Sequence, residues 1–130
     1  MGLTKAAVYG IYGLVYLAKQ PKDKVVSLSE VASMFNLPKK FLAKIFQMLA
    51  KVGFVTSYRG IRGGFRLNRL KDEITLKEII ECIQGPIHFL FLENRFARPN
   101  AVAYKLKEIC QEIEGFCHNK LESVTLIDLV

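Results

Sequence analysis

The sequence has no apolar run long enough to cross a membrane, no paired-cysteine motif, no repeat and no low-complexity tract. The longest uncharged stretch near the N-terminus, residues 6–18, is about 13 residues, short of the roughly 20 that a bilayer-spanning helix requires. Tyr9, Tyr12 and Tyr16 interrupt it and no small-residue cleavage site follows, which argues against a signal peptide. Gly2 follows Met1, but Ala6 stands where a myristoylation signal needs Ser or Thr. Cysteine is scarce: three residues, an odd number without a C-x-x-C pair, which excludes a disulfide framework and zinc-finger spacing and suits a reducing cytoplasm. No Lys-Ser or Lys-Thr follows the glycines at 60, 63 and 64, so they do not form a nucleotide-binding loop. No nucleophile, base and orienting group recur at usable spacing, and carboxylates such as Glu108 and Glu112 sit at ordinary helix-surface intervals. The chain does not read as an enzyme.

What is present is apolar content and positive charge. A hydrophobic fraction of 51% over 130 residues supports one core without covalent staples. Residues 1–70 hold 12 Lys and Arg against Asp23 and Glu30, a balance of +10, while the other 60 carry 7 basic and 10 acidic residues, or −3. A basic first part joined to a mildly acidic second part is the pattern of a polyanion-binding module with an assembly or sensing element. Charge alone leaves nucleic acid, a membrane surface and an acidic protein open.

Periodicity supplies the order of elements. Residues 3–19 are apolar nearly all round, as in a helix enclosed by neighbours. A polar turn over 21–24 and a very short strand candidate at Val25-Val26 follow. Ser27-Leu28-Ser29-Glu30 is a capping-box pattern, with Ser27 accepting from the first turn and Glu30 reaching back, and it opens a helix over 28–35 whose inner face is Leu28, Val31, Ala32 and Phe35. Asn36-Leu37-Pro38 joins it to a second helix over 38–51, Asn tolerating a left-handed cap and Pro a first helical position. Phe41, Leu42, Ile45, Met48 and Leu49 form that helix's inner stripe.

Gly53 ends it, and residues 54–58 and 65–67 read as a hairpin around Arg59-Gly60-Ile61-Arg62-Gly63-Gly64. Thr75-Leu76-Lys77-Glu78 is a second capping box, opening a helix that stops at Gly85-Pro86. Residues 86–100 look like a loop, with an apolar cluster at 89–92 and Arg95, Arg98 and Pro99 beyond it. Phe89 to Leu92 are expected to pack against the preceding domain, the alternative being to line an effector pocket. Val102, Leu106, Ile109, Ile113 and Phe116 alternate spacings of four and three, the seam of a helix-helix contact over 101–123. An apolar strip, 124–130, ends the chain.

Two features carry function. Lys39, Lys40, Lys44 and Gln47 lie off the inner stripe of the 38–51 helix, where they can reach phosphates and base edges of a major groove; a solvated basic face is the bland alternative. Arg59, Arg62 and Arg66 within eight residues would repel one another on a turn without an anionic partner. Gly60, Gly63 and Gly64 let the backbone approach a phosphate there while the arginines enter a minor groove or pair with phosphates; an ordinary glycine-rich turn with solubilising charge is the bland alternative.

Leu3-Thr4, the 28–51 helix pair, the 59–67 run, Ile83-Gln84-Gly85-Pro86 and the closing Thr125-Leu126-Ile127-Asp128-Leu129 together resemble the Rrf family of bacterial winged-helix regulators, over the whole chain. The resemblance implies a mainly α fold with a small β-hairpin: a winged helix-turn-helix domain over 1–85, a sensor or connecting loop over 86–100, and a dimerisation helix with its terminal strip over 101–130. It implies a homodimer binding double-stranded DNA at a palindromic operator, with Lys39, Lys40, Lys44, Arg59 and Arg62 as contacts and Gly63 and Gly64 shaping the wing; a cytoplasmic location is expected by default from the missing membrane and export signals. Many members hold an iron-sulfur cluster on three cysteines in the loop before the long helix, and here 86–100 contains none. Cys82, Cys110 and Cys117 read first as packing residues, with Cys110 and Cys117 next as a thiol redox pair, and a cluster on Cys110, Cys117 and His118 last. No cofactor or metal is expected, and the effector has no signature. The expectation is a repressor that uses helix 38–51 and wing 59–66; the alternative is a winged-helix module for protein or RNA.

Overall fold

The computed structural model describes residues 2–88 and 100–130. Its order is α1 (Lys5–Lys19), α2 (Leu28–Phe35), α3 (Lys39–Val52), β1 (Val55–Tyr58), β2 (Gly64–Leu67), α4 (Leu76–Gln84), α5 (Ala101–Ser123) and a single helical turn, α6 (Leu126–Leu129). The expected mainly helical fold with one hairpin is what forms. The apolar cluster at 89–92, and Arg95, Arg98 and Pro99, lie outside the described residues.

Helix α1 is the central scaffold. Thr4 caps it by accepting from the Ala7 N–H at 3.1 Å. Its neighbours come close because two of its positions lack side chains: a Cβ on Gly13 would stand 2.5 Å from the Phe46 ring, and one on Gly10 2.4 Å from Ile83 Cδ1. Phe46, Leu42, Ile45 and Leu49 of α3 are all buried, so the inner stripe of α3 is rotated from the expected one. Phe46 replaces Phe41 and Met48 in the core because it fills the space over Gly13 and meets Phe65 of β2 at 4.9 Å between ring centroids. Phe41 stays at the edge, 37% exposed, edge-on to Tyr9.

The first capping box is only half made. Ser27 Oγ accepts from the Glu30 N–H at 3.1 Å, but the Glu30 carboxylate turns away from the Ser27 backbone, accepting from the Tyr16 hydroxyl at 2.5 Å and pairing with Lys24 at 3.6 Å. That tertiary bond ties α2 to α1 and raises the Tyr16 pKa, first through the hydrogen bond to Glu30, then through burial and the carboxylate's charge. At Thr75 and Glu78 both halves of the box are present.

Val26 is less than a strand: one antiparallel bridge joins it to Phe65. The hairpin itself is antiparallel with Val55 opposite Leu67 and Tyr58 opposite Gly64. Beyond α5, the Leu76 N–H donates to Val124 O at 2.8 Å and the Leu126 N–H to Ile74 O at 3.0 Å. The terminal strip thus becomes a helical turn, with Asp128 accepting from the Thr125 N–H at 2.9 Å and Leu126 fully buried in the main core.

Candidate nucleic-acid interface

The link between α2 and α3 sets the site. Asn36 adopts the left-handed conformation, φ 53°, and the Leu37 N–H returns to Ala32 O at 2.8 Å, which ends α2 within one residue. Pro38 then stands at the N-cap of α3 rather than at its first helical position, and its carbonyl accepts from the Leu42 N–H at 3.0 Å. With Leu42, Ile45, Phe46 and Leu49 facing inward, Lys40, Lys44, Gln47 and Lys51 fall on the opposite side at intervals of four, three and four, and all four are exposed. Lys39 is exposed at the first turn.

The first turn of α3 contains no acidic residue. Lys39 and Lys40 therefore stand at the positive end of the helix dipole, an arrangement that costs each about 0.3–1 kcal/mol without a nearby anion. A phosphate there reverses the sign of that term.

The wing closes over the same end. Ser27, Ser29, Lys39, Gly60, Ile61 and Gly64 line a niche of about 320 Å³ between the starts of α2 and α3 and the hairpin tip. Arg59, Gly60, Ile61 and Arg62 are exposed. Gly63 and Gly64 are dictated by neighbouring backbone: a Cβ on Gly63 would lie 2.5 Å from Tyr58 O, and one on Gly64 2.1 Å from Val26 O. The Gly64 approach exists because Val26 and Phe65 exchange two backbone hydrogen bonds of 2.8 Å. These anchor the wing to the segment that starts α2.

Arg66 stands apart from the other sequence-derived candidates. It is half-buried on the outer face of the hairpin, 3.6 Å from Asp23 and 5.3 Å from the Tyr58 ring centroid, whereas Arg59 and Arg62 are at the tip. The structure brings Lys39 and the wing tip to one niche and leaves Arg66 braced beside it. Ser27, Ser29 and Ile61 also line this niche; in the sequence the two serines show only as a capping pattern and Ile61 only as part of the turn, because the closeness of α2 to the wing is a tertiary fact with no local signal.

The cysteines are distributed away from this face. Cys82 Sγ lies 3.8 Å from Met48 O, and burial pushes its thiol pKa up, the direction opposite to a metal-bound or reactive thiolate. Cys110 and Cys117 are half-buried on α5. Glu114, between them, meets His88 at 3.1 Å and His118 at 3.5 Å. Among the described residues no three His, Cys, Asp or Glu side chains are grouped to hold a metal ion. Nor is any helix among them long and apolar enough to cross a membrane.

Comparison with known proteins fits this geometry. Residues 3–130 match the Rrf2 family model, described as an iron-dependent transcriptional regulator. The structure is similar to CymR, the global cysteine regulator of B. subtilis, at 28% identity and a TM-score of 0.81, covering 99% of this chain and 95% of that one. A transcriptional regulator from Listeria innocua gives 29% identity and 0.85, covering 99% and 85%; T. potens IscR gives 26% and 0.76, with the same coverage. The 86–100 segment has no cysteine; Cys82 lies on α4, Cys110 and Cys117 on α5. With the winged helix and the match along nearly its full length, the chain belongs to the Rrf2 family, and it is a DNA-binding transcriptional regulator, not an enzyme.

Proposed function

We propose that this chain is a cytoplasmic homodimeric repressor that reads a palindromic operator in double-stranded DNA, each subunit using α3 in the major groove and the 59–66 wing in the minor groove. The observation that carries the reading is the niche where Lys39 and the wing meet, with the exposed Lys40, Lys44 and Gln47 stripe beside it. Lys39, Lys40, Lys44, Gln47, Arg59 and Arg62 are the contacts, Gly63 and Gly64 shape the wing, and Arg66 braces it through Asp23 and Tyr58.

Residues 1–85 act as the DNA-binding domain, 86–100 as the connecting and sensing segment, and 101–130 as the dimerisation element. Exposure of the α5 seam supports dimerisation: Val102, Leu106, Ile109, Ile113 and Phe116 are between 43% and 72% exposed, and no residue of α5 is buried in the single chain. A seam of this length of apolar residues is stable in water only against another apolar surface. Two-fold symmetry then spaces the half-sites about one helical turn, or a multiple of it, apart. The protein works without a resident metal or cluster.

Selection of genomic fragments on the purified protein tests this. Enrichment of one palindrome is the expected result. Indiscriminate, salt-sensitive retention of all fragments, or retention of structured RNA in their place, refutes it.

A further inference from the structure

The wing tip carries one large side chain, Ile61, that lines the niche but has no DNA contact assigned to it. The Gly63 N–H donates to Gly60 O at 2.9 Å, closing a four-residue turn whose corners are Ile61 and Arg62. Ile61 is 106% exposed, and no other large hydrophobic side chain among the described residues exceeds 72%. Turn corners are normally given to Gly, Pro, Asn, Asp or Ser, each of which eases the reversal. A β-branched apolar residue is stiff there and here gains no burial. Local rules broken with no gain to the folded chain mark places where function sets the residue.

The surroundings identify what Ile61 meets. Arg59 and Arg62 flank it, so an anionic surface met by this tip has its charge neutralised on both sides of the apolar group. The minor groove of B-DNA is about 6 Å wide, room for a turn corner but not for a helix, and phosphates form its walls. Its floor presents acceptors at every base pair and adds one protruding donor, the 2-amino group of guanine, at G·C pairs alone. A sec-butyl side chain cannot accept a hydrogen bond. Seated over guanine it collides with the amino group and strips it of water, whereas an A·T floor offers no such obstacle.

On the reading of the wing as a minor-groove element, we infer that Ile61 is a specificity-determining residue: its side chain rests on the groove floor and selects A·T over G·C at the pair it covers by excluding the guanine 2-amino group. Charge from Arg59 and Arg62 holds the wing in the groove without choosing bases, and Ile61 makes the choice.

The test uses the full chain and duplexes carrying the palindrome from the fragment selection. Each A·T pair of the flanks is replaced symmetrically by G·C or by inosine·C, which lacks the amino group but keeps the G·C pattern in the major groove. Binding is followed by fluorescence anisotropy. At one symmetric pair, G·C is expected to weaken wild-type binding about tenfold, as a mismatched pair does, and inosine·C to restore it. Ile61→Ala is expected to bind the three duplexes alike, and Ile61→Val to retain the discrimination. Equal binding of G·C and inosine·C by the wild type at every pair overturns the inference, as does an Ile61→Ala protein that still discriminates. A wild type that retains none of the duplexes overturns the DNA-binding reading itself, a separate and recognisable failure.

Discussion

Replacing Gly64 by Ala tests the anchoring of the wing. The new methyl carbon would stand 2.1 Å from Val26 O and 2.6 Å from Val26 C, both backbone atoms that no rotamer change can move. Ordinary contact needs more than 3 Å, so the Val26 segment and β2 must part by about 1 Å. Both Val26–Phe65 hydrogen bonds, 2.8 Å each, are then lost, at about 1 kcal/mol apiece. Phe65 also lifts from Phe46, costing about another 1 kcal/mol. A loss of about 3 kcal/mol in a chain of this size lowers Tm by roughly 10 °C. Thermal melts followed by circular dichroism measure that shift, and anisotropy measures the accompanying loss of DNA affinity. Gly115→Ala is the control: a Cβ there meets nothing within 4 Å. The helix also gains up to about 1 kcal/mol from losing a glycine, and the wing is untouched. A Gly64→Ala protein melting within about 2 °C of the wild type, with unchanged affinity, refutes the reasoning.

Three further outcomes follow from the structure. Ile113→Asp, placing a charge in the α5 seam, is expected to sediment as a folded monomer where the wild type sediments as a dimer; equal mass for both contradicts the assigned seam. The Tyr16 pKa is raised in the folded chain, so the Tyr16–Glu30 bond contributes its full stability below about pH 10 and loses it as pH rises through the folded-state value. Urea unfolding at pH 8 and above pH 10 should accordingly show the gap between wild type and Tyr16→Phe closing, and a constant gap refutes that. Anaerobically purified protein should be colourless, free of iron and still able to bind DNA, whereas a visible absorption band with stoichiometric iron contradicts the clusterless reading.

How much of this was legible in the chain depends on how local each cause is. Thr75 and Glu78 are three residues apart and cap the same turn, so their bond is written in the sequence. Glu30 carries the same signature, yet Tyr16, fourteen residues away, takes its carboxylate; a local pattern cannot announce a tertiary competitor. Asn36 was readable as a left-handed cap because few other residues tolerate φ 53°. Phe46 was readable as core from the 42, 45, 46, 49 spacing, whereas the space it fills, over Gly13 thirty-three residues earlier, was not. The charges of Lys39, Arg59 and Arg62 were visible, but the meeting of Lys39 with the Gly60–Ile61 tip at the start of α2 rests on the Val26–Phe65 bridge. Arg66 looked like a third tip arginine because spacing does not show which side of a hairpin a residue takes, and Asp23 is distant in sequence. Leu126 reads as part of an apolar strip although Thr125 and Asp128 outline a cap, because the core it enters is built from residues more than forty positions upstream.

A wing that grips DNA through Arg62 leaves its mark on the salt dependence of binding. With two subunits bound, Arg62→Ala should reduce the slope of log K against log salt by about 2, near 0.9 for each phosphate contact removed, and weaken binding at every salt concentration. An Arg62→Ala protein that holds the selected operator with wild-type affinity and an unchanged slope would contradict the account.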